Sequence, residues 1–152
     1  MLESNNNDKS QRLAIECDAL FPDLENKERV WNIITYPIEN KISTYDYSAY
    51  ISGFFGKSQV DLLQPYISKY LDELVRFADY PEKEYMSLFV GDLWPKSPYV
   101  TDEYTQELKC LIDYFKQEDI VKYDSFLRIL TSNYESIWGY EAIKRNALKD
   151  DN

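Results

Sequence analysis

Apolar residues recur at helical spacing along almost the whole chain, and this pattern limits the fold more than any other feature. The stretch from Pro65 to Phe77 shows it best, with one apolar face formed by Tyr66, Ile67, Tyr70, Leu71, Leu74 and Phe77. Only 4 Gly and 6 Pro are present, too few for the many turns of an all-β fold. The 152 residues therefore predict a single all-α domain.

Capping residues and prolines predict where the helices begin and end. Ser43 with Asp46 resembles a capping box, Thr101 is typical of an N-cap, and Gly56 lies where a helix ends. We expect Asn26 to cap the second helix and Pro81 to be the first residue of a later one. The predicted helices cover residues 10–21, 26–36, 43–55, 58–63, 65–77, 81–93, 101–115 and 119–148.

Two features inside these helices carry further expectations. Gly53 costs about 1 kcal/mol relative to Ala in a helix, so a close approach of another helix is expected there. The last predicted helix contains residues that weaken it, so we expect two helices or one with a break; these residues are Thr131, Ser132, Asn133 and Gly139.

The predicted helices form hairpins that open near residues 10, 43, 81 and 120, a period of roughly 34 to 39 residues, as in two-helix repeats. This rhythm predicts a HEAT/armadillo-like right-handed solenoid of about four helical hairpins. A globular helical bundle is the alternative. In the solenoid interpretation, residues 1–9 are a flexible leader, 10–148 form a single α-helical repeat domain, and 149–152 are a solvated tail.

The chain contains no histidine, which excludes Ser-His-Asp and Cys-His hydrolases, H-E-x-x-H metallopeptidases and zinc fingers from this chain alone. Its 17 Lys plus Arg against 27 Asp plus Glu give a formal net charge of −10, which argues against nucleic acid as a partner. No Gly-rich phosphate loop or calcium loop is present. We assign no catalytic, cofactor-binding or metal-binding residue.

Without histidine, carboxylate pairs are the leading catalytic option, as in glycoside hydrolases. The visible clusters are Asp113 with Glu118 and Asp119, Glu82 with Glu84, and Asp102 with Glu103. The favoured interpretation is structural, because acids in the first turn of a helix complement its dipole.

Tyrosine and cysteine each allow two interpretations. The chain has 14 Tyr, and one cluster could form an interaction surface or ordinary packing; it comprises Tyr36, Tyr45, Tyr47 and Tyr50. Cys17 and Cys110 form no C-x-x-C motif, and we expect buried free thiols.

No apolar run approaches the ~20 residues of a membrane span. The polar first residues lack a signal-peptide core, so a whole protein of this sequence is expected to be cytoplasmic.

Short motifs in a fixed order resemble one protein family. They are Lys27 to Trp31 (K-E-R-V-W), Gly53-Phe54, Leu62 to Leu71 (L-L-Q-P-Y-I-S-K-Y-L), and Leu93-Trp94-Pro95. In this order they resemble the C-terminal helical domain of zinc aminopeptidases of the aminopeptidase N and puromycin-sensitive type, closest to the bacterial branch. Asp92 and Trp94 depart from the Gly and Phe that the family prefers near its corresponding L-F-P motif.

The resemblance implies an all-α, HEAT-like domain that walls the substrate chamber of an enzyme removing N-terminal residues from peptides. It places zinc, with its H-E-x-x-H ligands, in an upstream catalytic domain of the same polypeptide, and peptides would be bound through that parent. The matching motifs are packing motifs, so no substrate-contacting residue is implied. The alternative is a free-standing acidic helical-repeat module that binds other proteins.

Overall fold

The computed structural model describes residues 2–96 and 98–150, with side chains at 7–96 and 98–139. Within these residues the chain is helical and contains no strand. The helices are α1 (Leu2–Leu20), α2 (Leu24–Thr35), α3 (Thr44–Phe54), α4 (Val60–Leu63), α5 (Pro65–Phe77), α6 (Lys83–Gly91), α7 (Asp102–Asp119) and α8 (Asp124–Asp150). The prediction of an all-α fold is therefore confirmed. The solenoid arrangement and the single repeat domain remain predictions.

The chain divides into two compact units, Met1–Tyr99 and Val100–Asn152. In the first unit α5 supplies the centre of the core, and all six of its predicted apolar positions are buried. Aromatic rings fill much of the space beside α5. The ring of Phe89 stacks on that of Phe77 at 3.9 Å between centroids and on that of Tyr70 at 5.2 Å. The tyrosine content of this unit thus serves packing to a large extent.

Helices α1 and α3 approach each other closely through small residues. A Cβ atom added to Gly53 would clash with the backbone carbonyl oxygen of Glu16 and lie 3.0 Å from the Cβ of Ala19. Ala19 and Ala49 are buried as well. The expectation of a close helix contact at Gly53 is therefore confirmed, and larger side chains could not occupy this contact.

The second unit is a pair of helices, α7 and α8, whose apolar faces contact each other. The Phe115 ring of α7 lies 5.0 Å from that of Phe126 in α8, in an edge-to-face arrangement. Leu108 and Ile112 continue the α7 face, whereas Leu130 continues that of α8. Helix α8 passes through Gly139 without a break, so the prediction of an interruption was wrong.

Helix ends follow the local chemistry in most cases. The Ser43 hydroxyl accepts a hydrogen bond from the Asp46 N–H at 3.2 Å, and that of Thr101 accepts one from the Tyr104 N–H at 3.1 Å. Both caps were predicted. A separate short helix before Pro65 was predicted as well and is present as α4.

Other predicted ends were wrong. Asp23, not Asn26, caps α2, because its carboxylate accepts the Asn26 N–H at 3.0 Å. Pro81 lies before α6, whose N-cap is Glu82. Helix α1 begins at Leu2, so residues 2–9, which we expected to be a leader, belong to a helix. Gly56 does follow α3, but its φ is not positive.

Candidate functional site

The acidic clusters lie on exposed parts of helices. Glu82 occupies the N-cap position of α6 without a side-chain capping hydrogen bond, and Glu84 lies in the first turn of that helix. Asp102 and Glu103 occupy the first turn of α7. Negative charge at these positions complements the helix dipole, which is the structural role that the sequence favoured. The remaining cluster, Asp113 with Glu118 and Asp119, is likewise exposed on α7. Among the described residues no group of three acids or cysteines could hold a metal ion.

The structure divides the tyrosine cluster into exposed and buried members. Tyr45 is 72% exposed and Tyr36 is 40% exposed, whereas Tyr47 is fully buried. The Tyr47 hydroxyl donates a hydrogen bond to the Ile34 carbonyl oxygen at 2.8 Å, so this residue belongs to the core. Tyr50 is half-buried. The four residues therefore do not form one common surface, and the packing interpretation holds for Tyr47.

The two cysteines are exposed free thiols, so the prediction that they are buried was wrong. In α1 the cause is visible. Helix α1 packs against α3 with the face that carries Ala19. Its larger apolar residues lie on another face and are therefore exposed to solvent. We name these exposed residues the α1 apolar stripe; it comprises Leu13, Cys17 and Leu20 of α1 and Phe21, which directly follows the helix. Leu13 is 62% exposed and Phe21 is 60% exposed.

The most unusual side chain of the first unit is Lys27, which is fully buried in α2. Its ammonium nitrogen donates to the carbonyl oxygen of Ala19 at 2.6 Å and to that of Phe54 at 2.8 Å. These carbonyls lie in the last turns of α1 and α3, where the helix leaves carbonyl groups without an intrahelical partner. Lys27 thus caps the C-terminal ends of two helices with a single side chain.

Burial determines the ionisation of this lysine. The loss of water lowers the pKa of Lys27 to about 8. Two helix C-termini carry partial negative charge and favour the ammonium form, and the ring of Phe54 lies 5.1 Å from the nitrogen. In a chain without histidine, Lys27 is the side chain whose charge changes nearest to neutral pH among the groups with a clear shift.

The residues that carry the family resemblance meet around this lysine. The Trp31 ring lies 5.4 Å from the Phe54 ring and 5.4 Å from the Tyr66 ring, measured between centroids. The Phe54 and Tyr66 rings are 5.2 Å apart and complete the contact. We name the set Lys27, Trp31, Phe54 and Tyr66 the motif cluster. Its members come from α2, α3 and α5, which are distant in the sequence.

The burial of Lys27 was not predicted, although the sequence contains a signal for it. Lys27 precedes Val30, Trp31 and Ile34 at the spacing of one helix face, and all three of those residues are buried. A lysine on the apolar face of a short helix is a candidate for burial, because its ammonium group can satisfy neighbouring helix ends.

Comparisons with protein families, with curated proteins and with solved structures found no match to this chain. No helix among the described residues has the length and apolar character needed to cross a membrane.

Proposed function

We propose that this chain is the non-catalytic C-terminal helical domain of a zinc aminopeptidase, with a HEAT-like arrangement of its helices. In the parent enzyme it would wall the chamber that admits peptide amino termini. The observation that carries the proposal is the motif cluster, because residues that resemble the family in order and spacing also pack together. If this chain had the same core as the family, the residues of the matching motifs would contact one another.

The final motif supports the proposal in the same way. Leu93 and Pro95 are buried in the first unit, and Trp94 is half-buried beside them. Leu93 donates its backbone N–H to the Leu88 carbonyl oxygen at 3.3 Å, which closes the end of α6. The departures from the family pattern at Asp92 and Trp94 therefore fall at a helix end, where both residue types fit.

The α1 apolar stripe agrees with a domain that contacts another domain. Large apolar side chains that remain together on one helix face commonly mark an interaction surface. In the proposed parent, the upstream catalytic domain is the partner of the same polypeptide. Zinc belongs to that domain, because H-E-x-x-H requires histidine and this chain has none. There the metal would polarise the peptide carbonyl and activate water.

A cytoplasmic parent is part of the proposal. Exposed free thiols such as Cys17 and Cys110 persist in a reducing compartment, whereas an oxidising one favours their conversion to disulfides. Immunodetection in cell fractions tests this location, and recovery from a secretory fraction would contradict it.

The first experiment assays the chain itself. We expect the purified chain with added zinc to show no turnover of aminoacyl-naphthylamides, while the polypeptide extended upstream in its source genome hydrolyses them. Removal of zinc from the extended protein with a chelator should abolish that activity. Turnover by the isolated chain would show that it is catalytic and would reject the proposed role.

A free-standing protein-binding module is the second candidate, and the same exposed α1 apolar stripe favours it. The upstream reading frame separates the two. A continuous frame containing H-E-x-x-H followed by a distant Glu supports the aminopeptidase. A stop codon directly upstream, together with a natural start at Met1, supports the module and rejects the parent enzyme.

A further inference from the structure

A cleft of about 400 Å³ opens on the surface of the first unit, beyond the C-terminal ends of α3 and α6. Three aromatic side chains, Phe55, Trp94 and Tyr99, line it. The ring of Tyr99 is held in place, because its hydroxyl donates to the Gly56 carbonyl oxygen at 2.5 Å and its ring lies 5.3 Å from that of Phe55. The cleft therefore has a preformed aromatic wall, which is typical of small-molecule sites.

Two cations line the same cleft. Lys57 and Lys96 are both exposed, and neither makes an ion pair within the part of the chain that the structure describes. Asp92 is the acidic residue of the lining. The lining thus carries a net positive charge in a protein whose formal net charge is −10. A local charge of opposite sign to the whole molecule attracts and orients an anion.

The walls and the charges together indicate a ligand class. We propose that this cleft binds a small aromatic carboxylate, with its ring against Phe55 and Trp94 and its carboxylate beside Lys57 and Lys96. The volume is at the lower end of the roughly 300 to 1,000 Å³ of ligand sites, which suits a molecule of one or two rings. The inference is independent of the proposed function.

Titration calorimetry of the full chain with 2-naphthoate tests the proposal, with neutral 2-naphthamide as the comparison ligand. We expect saturable binding of the carboxylate with a dissociation constant below about 1 mM, and binding of the amide at least tenfold weaker. The double variant Lys57→Gln/Lys96→Gln should weaken naphthoate binding about tenfold or more. Lys9→Gln/Lys83→Gln is the matched control, because it removes the same charge from exposed positions elsewhere and should bind as the parent chain does.

Nuclear magnetic resonance locates the ligand without relying on a variant that must fold. The chain has 3 Trp, and their indole N–H resonances serve as separate reporters. We expect 2-naphthoate to shift the Trp94 resonance while those of Trp31 and Trp138 stay unchanged. The proposal would be overturned by the absence of saturable binding, by equal affinity for acid and amide, or by equal weakening in the two double variants. A shift confined to Trp138 would place the ligand elsewhere and would also overturn it.

Discussion

Replacement of Lys27 by methionine tests the double helix cap most directly. Methionine retains most of the side-chain volume but cannot donate to the carbonyl oxygens of Ala19 and Phe54. Leaving a buried acceptor unsatisfied costs about 1 to 3 kcal/mol, so two acceptors suggest a loss of roughly 2 to 6 kcal/mol in unfolding free energy at pH 10, where folded Lys27 is neutral. A loss of about 3 kcal/mol would lower the melting temperature by roughly 10 °C.

The pH dependence of stability gives a second measure of the same side chain. Because the folded-state pKa of Lys27 is about 8 and its ordinary value is 10.5, the unfolded chain binds more protons between these values. Stability therefore rises with pH across this window. The neutral amine still has two N–H donors for the two carbonyl oxygens, so deprotonation breaks neither bond. The rise should reach about 2 to 3 kcal/mol between pH 7 and 10.

Urea unfolding at closely spaced pH values measures both effects. Taking the difference between the parent chain and Lys27→Met removes the contributions of other groups. This subtraction matters near pH 10. Burial raises the pKa of Tyr47 in the folded state, so its hydroxyl ionises first in the unfolded chain and stability falls as the pH rises. Lys69→Met is the control, because its exposed 3.3 Å ion pair with Glu28 should contribute less than about 1 kcal/mol. A difference between parent and Lys27→Met that is flat from pH 7 to 10 would refute the lowered pKa. Equal stability at pH 10, where the folded lysine is neutral, would refute the cap.

Three further perturbations test the helix contacts and the exposed thiols. Gly53→Ala should destabilise the chain by about 1 to 3 kcal/mol in urea unfolding because its Cβ meets the α1 backbone; Gly139→Ala, with no atom within 4 Å, should stabilise it by up to about 1 kcal/mol, and the reverse order would contradict the close approach. Thr101→Ala should lower the helical signal in circular dichroism and reduce the unfolding free energy by about 1 kcal/mol. An unchanged unfolding transition would show that this cap does not stabilise α7. Cys17 and Cys110 should both react with a thiol reagent in the folded state, and a reaction that requires denaturant would show that they are buried.

The structure agrees with the sequence mainly where strong local signals decide. The α5 stripe from Tyr66 to Phe77 is buried as predicted, because a strong apolar period leaves one choice of face. Ser43 and Thr101 cap their helices because the capping bond lies within four residues. Asn26 was mistaken for a cap because Asp23 offers the same chemistry three residues earlier. The Asn26 side chain instead donates to the Asp18 carbonyl oxygen at 2.6 Å.

Two of the errors, the exposure of Cys17 and the unpredicted burial of Lys27, arise from long-range packing. Leu13 and Cys17 lie at helical spacing in α1, yet both are exposed. Helix α1 contacts α3 through small residues, because Ala19 and Gly53 allow the two backbones to approach and larger side chains would not. The residues around Leu13 do not indicate that α1 packs against Gly53, which lies about forty residues later in the sequence. The burial of Lys27 follows from the same contact, because it brings two helix ends to one ammonium group.

The position of the motif cluster limits what the family resemblance can convey. Lys27, Trp31, Phe54 and Tyr66 are recognisable because they hold three helices together, and a core of this kind serves any function placed on its surface. Function would then depend on residues outside the motifs, such as Phe21 in the α1 apolar stripe and the lysines of the aromatic cleft. A chain that keeps the core but exchanges those surface residues would retain the resemblance and lose the partner. Variants of the surface, and not of the core, are therefore the ones that discriminate between a domain of an aminopeptidase and a free-standing module.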